Sequence, residues 1–509
     1  MKFEVIVMGG GLAGLTLALQ LRGQGVQVAV VEAHSFPVPE AAHKVGESTV
    51  EIGAHYLAET IGLRDYLLKN HMIKGGLRYF FSDSGREDIT RRVELGTTKF
   101  PQIDSFQLDR GKLENHLYDV CVKENIPVFC KSRLKNLSFS KPCSGELHSP
   151  DMPMKKVTAD WIVDATGRRS VLKSKLGNTK PVASPNHSSW FRISRKVDVG
   201  SWSAEEPWHS RVESKLRWAS TNHLMGEGYW VWLIPLGPSM TSVGVVADLN
   251  LHSSKSLSSL ESTLTWLQQK EPECAKHLLP HKDEVLDFHY LCNYSCNANP
   301  LFSMDGWALT GEAGAFLDPF YSPGSDFIAM SNSIITQIIT SARKDQLNAK
   351  HLKLYNFIYQ QLFEAFWVLY ENQYAHMGSG AVMVPKVIWD ISVYWAGAAK
   401  YFITGDFASL ETLPKAGYIL SEYGRRNQMM QQFFQTPELK DPSRIDMEFV
   451  DFYKLPRIIA LNDALLAPKD PYGVLDVLEK NLQLMDEIQE VVTTHKSLSD
   501  FVGRLGYSG

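Results

Sequence analysis

A chain of 509 residues exceeds one ordinary core, so two or three packed units are expected. Apolar residues at 44% and charged residues at 21% are the makeup of a soluble globular protein, and a net charge of −4 excludes bulk attraction to nucleic acid or an anionic membrane. Six cysteines, at 121, 130, 143, 274, 292 and 296, fit neither a disulfide framework nor a C-x2-C zinc pair; no metal is expected, and Cys292 and Cys296 read as free thiols in a packed region.

Residues 1–8 run into a glycine loop without the basic segment, apolar core and cleavage site of a secretory signal, which points to the cytoplasm. Residues 3–32 then follow the order strand, glycine turn, helix, strand. In Gly9-x-Gly11-x-x-Gly14 the first glycine permits the turn, the second lets backbone approach a pyrophosphate, and the third lets helix and sheet pack. Leu12 and Ala13 open a helix whose N-terminus would face the phosphates, and Glu32, closing the second strand, would accept from the adenosine ribose. The motif in this setting predicts a dinucleotide site.

Two further parallel strands are predicted at Ala159–Ala165, closed by Thr166-Gly167, and at Gly306–Thr310, closed by Gly311. Aromatic and β-branched alternation over about 77–106 and 190–300 predicts an inserted antiparallel sheet on the substrate side, while residues 141–153 read as an exposed, turn-rich connection. Within the inserted sheet lies Trp230-Val231-Trp232-Leu233-Ile234-Pro235. Strand alternation puts Trp230, Trp232 and Ile234 on one face, so two indoles stand side by side as a wall or, more plainly, as core aromatics. After about Ser331 long helical stretches run almost to the end, and residues 387–404 are barred from a membrane span by Asp390 and Lys400. Their aromatic residues, Phe366, Trp367, Tyr370, Tyr374, Trp389 and Tyr394, either line a pocket or fill a core.

Three segments carry a resemblance. Gly311-Glu312-Ala313-Gly314 resembles the Gly-Asp motif by which FAD-dependent monooxygenases hold the ribityl chain, with Glu312 for Asp. Asp164-Ala165-Thr166-Gly167-Arg168 resembles their second glycine turn, and Phe106-Gln107-Leu108-Asp109-Arg110 resembles the segment whose arginine, here Arg110, approaches the cofactor. Their order resembles the α/β, glutathione-reductase-type FAD-binding fold over roughly residues 1–335, leaving 336–509 as a helical region over the active site.

The N-terminal glycines together with W-x-W-x-I-P resemble the flavin-dependent halogenases within that superfamily. The resemblance implies that FADH2 and dioxygen turn halide into hypohalous acid, which travels a tunnel to a lysine beside an aromatic substrate. It gives Trp230, Trp232, Ile234 and Pro235 the role of keeping substrate from flavin, since an oxidising flavin within reach of an electron-rich ring would hydroxylate it. The lysine is Lys74, in Ile73-Lys74-Gly75-Gly76, because a buried amine of lowered pKa can hydrogen-bond hypohalous acid or form a haloamine. A solvated turn residue is the plain alternative. Gly46, Glu47 and Ser48 belong to a segment from His43 to Thr49 that resembles the family's flavin strap, and its Lys44 competes with Lys74. No second glycine fingerprint is present for a nicotinamide cofactor, which favours flavin reduced by a separate NAD(P)H-dependent flavin reductase.

The resemblance places halide at Ser322, Gly324 and Ser325, in the turn after Asp318-Pro319. Pro323 has no N–H, so one expected donor is missing. Tyr321 stands where tryptophan-type halogenases carry a glutamate, which brings the chain nearer to those acting on phenols and pyrroles, free or tethered to a carrier protein. Three functions stay open: a halogenase using Lys74, a flavin monooxygenase or oxidase that lost halide binding through Pro323, and a non-catalytic flavoprotein of a biosynthetic assembly. The identity of the halide and the oligomeric state, monomer or homodimer, also stay open.

Overall fold

The computed structural model describes residues 1–39, 46–83 and 85–507, so the expected strap residues His43, Lys44 and Val45 lie outside the described residues. Strand Lys2–Met8 lies between Val28–Val31 and Met152–Asp164, with Val128–Phe129 and Trp307–Leu309 outside these, and all five are parallel. Val5–Met8 and Val28–Val31 are apolar, largely β-branched and buried, as the central strands of such a sheet require. The register aligns their carboxyl ends: Met8 pairs with both Val31 and Asp164, and Asp164 pairs with Leu309. The loops that follow therefore start at one level and open on one crevice, where ligands of such sheets bind.

Residues 141–153 are not the loop their composition suggested. Cys143–Ser149 is a strand, paired antiparallel with Met152–Asp164, and it turns Cys143, Gly145 and Leu147 inward. Its residues alternate between buried and half-exposed, a strand pattern that the Pro, Ser and Gly content of the segment masks.

A second sheet of eight strands runs in the order Val285–Cys292, Asn186–Ile193, Met240–Asp248, Tyr229–Gly237, Thr221–Gly226, Leu77–Phe81, Val93–Gly96, Phe449–Asp451. It is mixed rather than antiparallel throughout, because Thr221–Gly226 runs parallel to Leu77–Phe81 and Phe449–Asp451 parallel to Val93–Gly96. The last pairing brings the C-terminal region back into the sheet. Strand Tyr229–Gly237 is buried on both faces. Trp230, Trp232, Ile234 and Leu236 join the core shared with the nucleotide sheet, while Tyr229, Val231 and Leu233 join a second core around Trp266 and Leu267. Pro235 lies beyond Leu233, the last residue paired with Thr221–Gly226, so its missing N–H leaves no ladder bond unmade on that side.

Long helices at Gly324–Arg343, Ala349–Trp367, Gly380–Tyr394, Leu413–Phe433 and Gly473–Thr494 build the rest. Helix Gly324–Arg343 packs closely on the short helix Glu51–His55: a Cβ added at Gly53 would lie 2.1 Å from Ser325 Oγ. Among the described residues no helix is long and apolar enough to cross a membrane. Cys292 is exposed at the sheet edge, a correction to the packed setting expected of it, because Val285–Cys292 is the edge strand.

Candidate active site

A cleft of about 470 Å³ opens along the carboxyl ends of the parallel strands. Gly9 has φ +108°, and a Cβ there would lie 2.2 Å from the Ala165 carbonyl oxygen. At Gly14 a Cβ would lie 1.9 Å from the Gly9 carbonyl oxygen, whereas at Gly11 nothing lies within 4 Å. Two glycines are thus required by the protein's own packing, and the third leaves open space at the start of helix Leu12–Gly23, as a bound pyrophosphate needs. Glu32 lines the same cleft, its carboxylate accepting from the amides of Gly10 (2.5 Å) and His34 (2.8 Å).

Ala13, Gly167, Gly311 and Glu312 also line the cleft, with Glu312 3.9 Å from Arg168. Gly46 and Ser48 reach it from the strap side, where Arg110 donates to the Gly46 carbonyl (3.4 Å) and to Glu114 (2.7 Å). Glu47 is buried there, and loss of solvent pushes its carboxyl up to about 7 against the opposing influence of Ser242 and Arg192. Asp164 lies beneath the cleft rather than in it. Its carboxylate accepts from the Thr166 amide (2.9 Å) and hydroxyl (2.6 Å) and from the Leu172 amide (2.6 Å), which shapes the turn that Gly167 presents. These residues fit an FAD.

Trp230, Trp232 and Ile234 line the cleft from one strand face, with the two indoles 5.6 Å apart. Trp232 donates to Ser242 (3.1 Å) and lies flat over its cross-strand neighbour Gly244, where a Cβ would come within 2.1 Å of the indole. Trp230 donates to the Tyr374 hydroxyl (3.1 Å), which in turn donates to Asp318. Asp318 also accepts from Tyr294 (3.1 Å), Asn186 (3.1 Å) and the Phe320 amide (3.0 Å); even so, burial pushes it up to about 6. The aromatic layer continues from Trp230 to Phe320 (5.3 Å) and on to Tyr321 (4.5 Å). Tyr321 donates to Asp390 (2.7 Å), which also holds the buried ammonium of Lys386.

Beyond that layer is a second cavity of about 90 Å³. Lys74 lines it and is only 1% exposed; its amide donates to Ser105 and its ammonium to the Thr49 carbonyl, each at 2.8 Å. Burial drives its pKa down to about 7, although the negative charges of Glu51 and Asp326 oppose the shift. Glu51, Asp326, Tyr394, Trp395 and Tyr453 complete the polar and aromatic lining. Asp326 accepts from the Gly53 amide and the Tyr394 hydroxyl, both at 2.8 Å, and burial pushes it up to about 8.

The turn 322–325 separates the two spaces. Ser322 has φ +59°, Pro323 precedes the first turn of helix Gly324–Arg343, and Pro323 lines both cleft and cavity. The amides of Gly324, Ser325 and Asp326 belong to a first helical turn and have no intrahelical acceptor. Ser325 Oγ is buried with no hydrogen-bond partner among the described residues and, with Ser322 and Gly324, lines the cleft.

The two tryptophans border the flavin cleft but not the Lys74 cavity, and Pro235 borders neither. Of the C-terminal aromatics, Phe366 and Tyr394 line the cavity, Tyr374 braces Trp230, and Trp389 is core, donating to Asn427 (3.0 Å). Sequence reasoning missed Glu51 and Asp326. Both lie within a few residues of assigned motifs, yet only the packing of helices remote in sequence aims them at Lys74. Among the described residues no group of side chains could hold a metal ion.

Residues 2–238 match the family described as FAD binding domain. A flavin-dependent halogenase of Dictyostelium discoideum, chlA, is 27% identical over 433 residues, covering 77% of this chain and 70% of that one. A 1H-pyrrole-2-carbonyl peptidyl-carrier-protein chlorinase of Pseudomonas fluorescens is 28% identical over 366 residues, covering 67% and 77%. In solved structures, halogenase PltM superimposes with a TM-score of 0.64 at 14% identity, over 96% of this chain and 97% of its own. The myxobacterial chondrochloren halogenase CndH gives 0.59 at 19% identity over 72% and 81%. These two establish likeness of fold.

Proposed function

From a chain that belongs to the flavin-dependent halogenase family and carries its FAD-binding domain, we propose halogenation of a small electron-rich aromatic ring, phenol- or pyrrole-like, with Lys74 presenting the oxidised halogen. Bound FAD, supplied reduced by a separate NAD(P)H-dependent flavin reductase, contributes the oxidising power from dioxygen. The observation that carries the reading is the buried amine of Lys74 in a cavity of its own, divided from the flavin cleft by the turn at Pro323.

An amine drawn down to about 7 is partly neutral at physiological pH and can hydrogen-bond hypohalous acid in either protonation state. The layer Trp230, Phe320 and Tyr321 supports a barrier role, because it fills the space through which a ring would otherwise meet the flavin. At about 90 Å³ the cavity is smaller than the roughly 150 Å³ apolar cavity known to admit benzene, which excludes from it anything larger than a single ring. The relationship to a chlorinase of a carrier-bound pyrrole supports the ring class; free and tethered substrates are both consistent with it.

Halide is assigned to the amides of Gly324 and Ser325 and the unpartnered hydroxyl of Ser325, at the positive end of a 20-residue helix. Pro323 withholds one donor, and a hydrogen bond to a charged group contributes about 1.5–3 kcal/mol, or one to two decades in affinity. Pro323→Ser is therefore expected to lower the half-saturating bromide concentration by about tenfold or more, read from the bromide dependence of product formation. Pro323 also favours the second reading, a monooxygenase on the same scaffold. The two separate when the protein is supplied with FAD, a reductase, NADH, bromide and a panel of phenols, pyrroles and indoles. A bromine isotope doublet in the product supports halogenation; oxygen incorporation without halogen sinks it.

A further inference from the structure

A third cavity, of about 60 Å³, lies among helices Ala349–Trp367, Gly380–Tyr394 and Leu413–Phe433. It shares no lining residue with the flavin cleft, but it shares Phe366, Leu369, Asp390 and Tyr394 with the Lys74 cavity. Those four side chains are therefore the partition between the two spaces. Two of them are tied down. Asp390 holds the Lys386 ammonium and accepts from Tyr321 and Gln431, both at 2.7 Å. The Tyr394 hydroxyl donates to Asp326 (2.8 Å) and accepts from the Ile52 amide (3.1 Å). Phe366 and Leu369 are held by packing alone, so a change of rotamer at either opens a passage without breaking a hydrogen bond.

The lining selects what could occupy this space. Ile358, Leu362, Val393 and Leu420 present hydrocarbon, and Ala365 and Gly424 add little bulk where their helices approach. The polar side chains have partners elsewhere. Asn427 accepts from Trp389 and Gln431, both at 3.0 Å, and donates to the Ala365 carbonyl (2.9 Å). Tyr423 donates to the Leu478 carbonyl (2.8 Å) and Ser421 to the Tyr418 carbonyl (2.6 Å). Gln361, Ala365, Leu420, Ser421 and Gly424 are half-buried, so this side of the cavity approaches solvent. At about 10–15 Å³ for each water-sized group, the volume admits roughly four to six groups, the girth of a single chain.

We propose that this cavity takes an unbranched hydrocarbon chain carried by the substrate ring, so that ring and chain fill two compartments of one site; the ring end rests on the halogenase reading above. The amide-bearing arm of a carrier protein is disfavoured, because its peptide groups would be buried against walls whose polar atoms are already bonded, a cost that hydrocarbon does not incur.

The test is calorimetric titration of FAD-loaded protein with 4-alkylphenols from methyl to octyl. Affinity is expected to rise about fourfold per methylene, the factor that burial of one CH2 contributes, and to level off after roughly four to six carbons. Affinity independent of chain length, or rising without a plateau, overturns the proposal. Gly424→Leu and Ala365→Leu put a side chain into the cavity, and in both the ratio of affinities for pentylphenol and methylphenol is expected to fall to about one. Gly424→Ala keeps the fold, since its Cβ would meet only the Ala365 side chain, at 3.8 Å, and it brings the plateau to a shorter chain. Folded variants that retain the unmodified chain dependence overturn the proposal, and so does tighter binding of 4-hydroxybenzoyl-pantetheine than of pentylphenol. Bromination of the same series separates the two readings. Chain-dependent binding without brominated product sinks the halogenase reading and leaves the chain site; bromination indifferent to chain length does the reverse.

Discussion

Lys74→Ala is expected to abolish halogenated product while the protein still binds FAD and, supplied with a flavin reductase, still consumes dioxygen and NADH. The separation follows from geometry. Lys74 donates to the Thr49 carbonyl and lines the small cavity, and its side chain does not line the flavin cleft. Loss of a positioned acid–base group costs about 10²–10⁴-fold in rate, and under the proposed function the same amine also holds the oxidised halogen, so the expected fall is at or beyond the upper end. Product mass, FAD absorbance and NADH consumption, read together, check it. Loss of bound FAD in this variant would contradict the division into two spaces.

The same residue carries a stability signature. Its pKa in the fold lies below the unfolded value of about 10.5, so between about 7 and 10.5 the unfolded chain holds a proton that the folded chain does not. Stability from this group therefore rises with pH through that window, and the full burial penalty is present below it. Lys74→Met, close in volume and uncharged, is expected to raise the thermal midpoint at pH 6 and to raise it less at pH 10.

Gly14→Ala removes FAD altogether. An added Cβ would lie 1.9 Å from the Gly9 carbonyl oxygen and 3.3 Å from the Ala165 side chain. The first contact is with the backbone of the fingerprint turn and the second with the residue that follows strand Met152–Asp164, so helix Leu12–Gly23 must move off the sheet. Its first amides then no longer point at the pyrophosphate. Overpacking of this kind costs about 1–3 kcal/mol when side chains can adjust, and here the clash is with backbone. Protein that is folded by circular dichroism but colourless after reconstitution is the expected result. Gly11→Ala is the contrasting case: its Cβ meets no protein atom within 4 Å, so any loss of affinity there reports on the ligand alone.

How far the sequence reveals this site depends on whether the signal is local. The fingerprint turn and Glu32 are legible because the glycines answer to contacts within one strand–helix–strand unit. The face shared by Trp230, Trp232 and Ile234 is legible because alternation is a property of the strand itself. Asp164 belonged to a motif as a residue type, yet its carboxylate is spent on the turn beneath the cofactor, a detail that only hydrogen-bond partners reveal. Glu51 and Asp326 carried no pattern, since their meaning comes from Trp395, Asn462 and Tyr394, more than sixty residues away in every case. Strand Phe449–Asp451 is three residues long, too short for periodicity, and exists only because Val93–Gly96 offers it an edge.

The return of the chain at Phe449–Asp451 also sets an order of assembly. Every residue lining the FAD cleft has been synthesised once Ile328 is made, whereas the Lys74 cavity borrows Phe452, Tyr453, Ile459 and Asn462 from the far end. At about 5–20 residues per second, roughly ten seconds of synthesis separate the two events. A nascent chain can thus acquire its cofactor while the lysine still lacks a finished chamber, and the space that would confine a reactive halogen is the last part of the site to be enclosed.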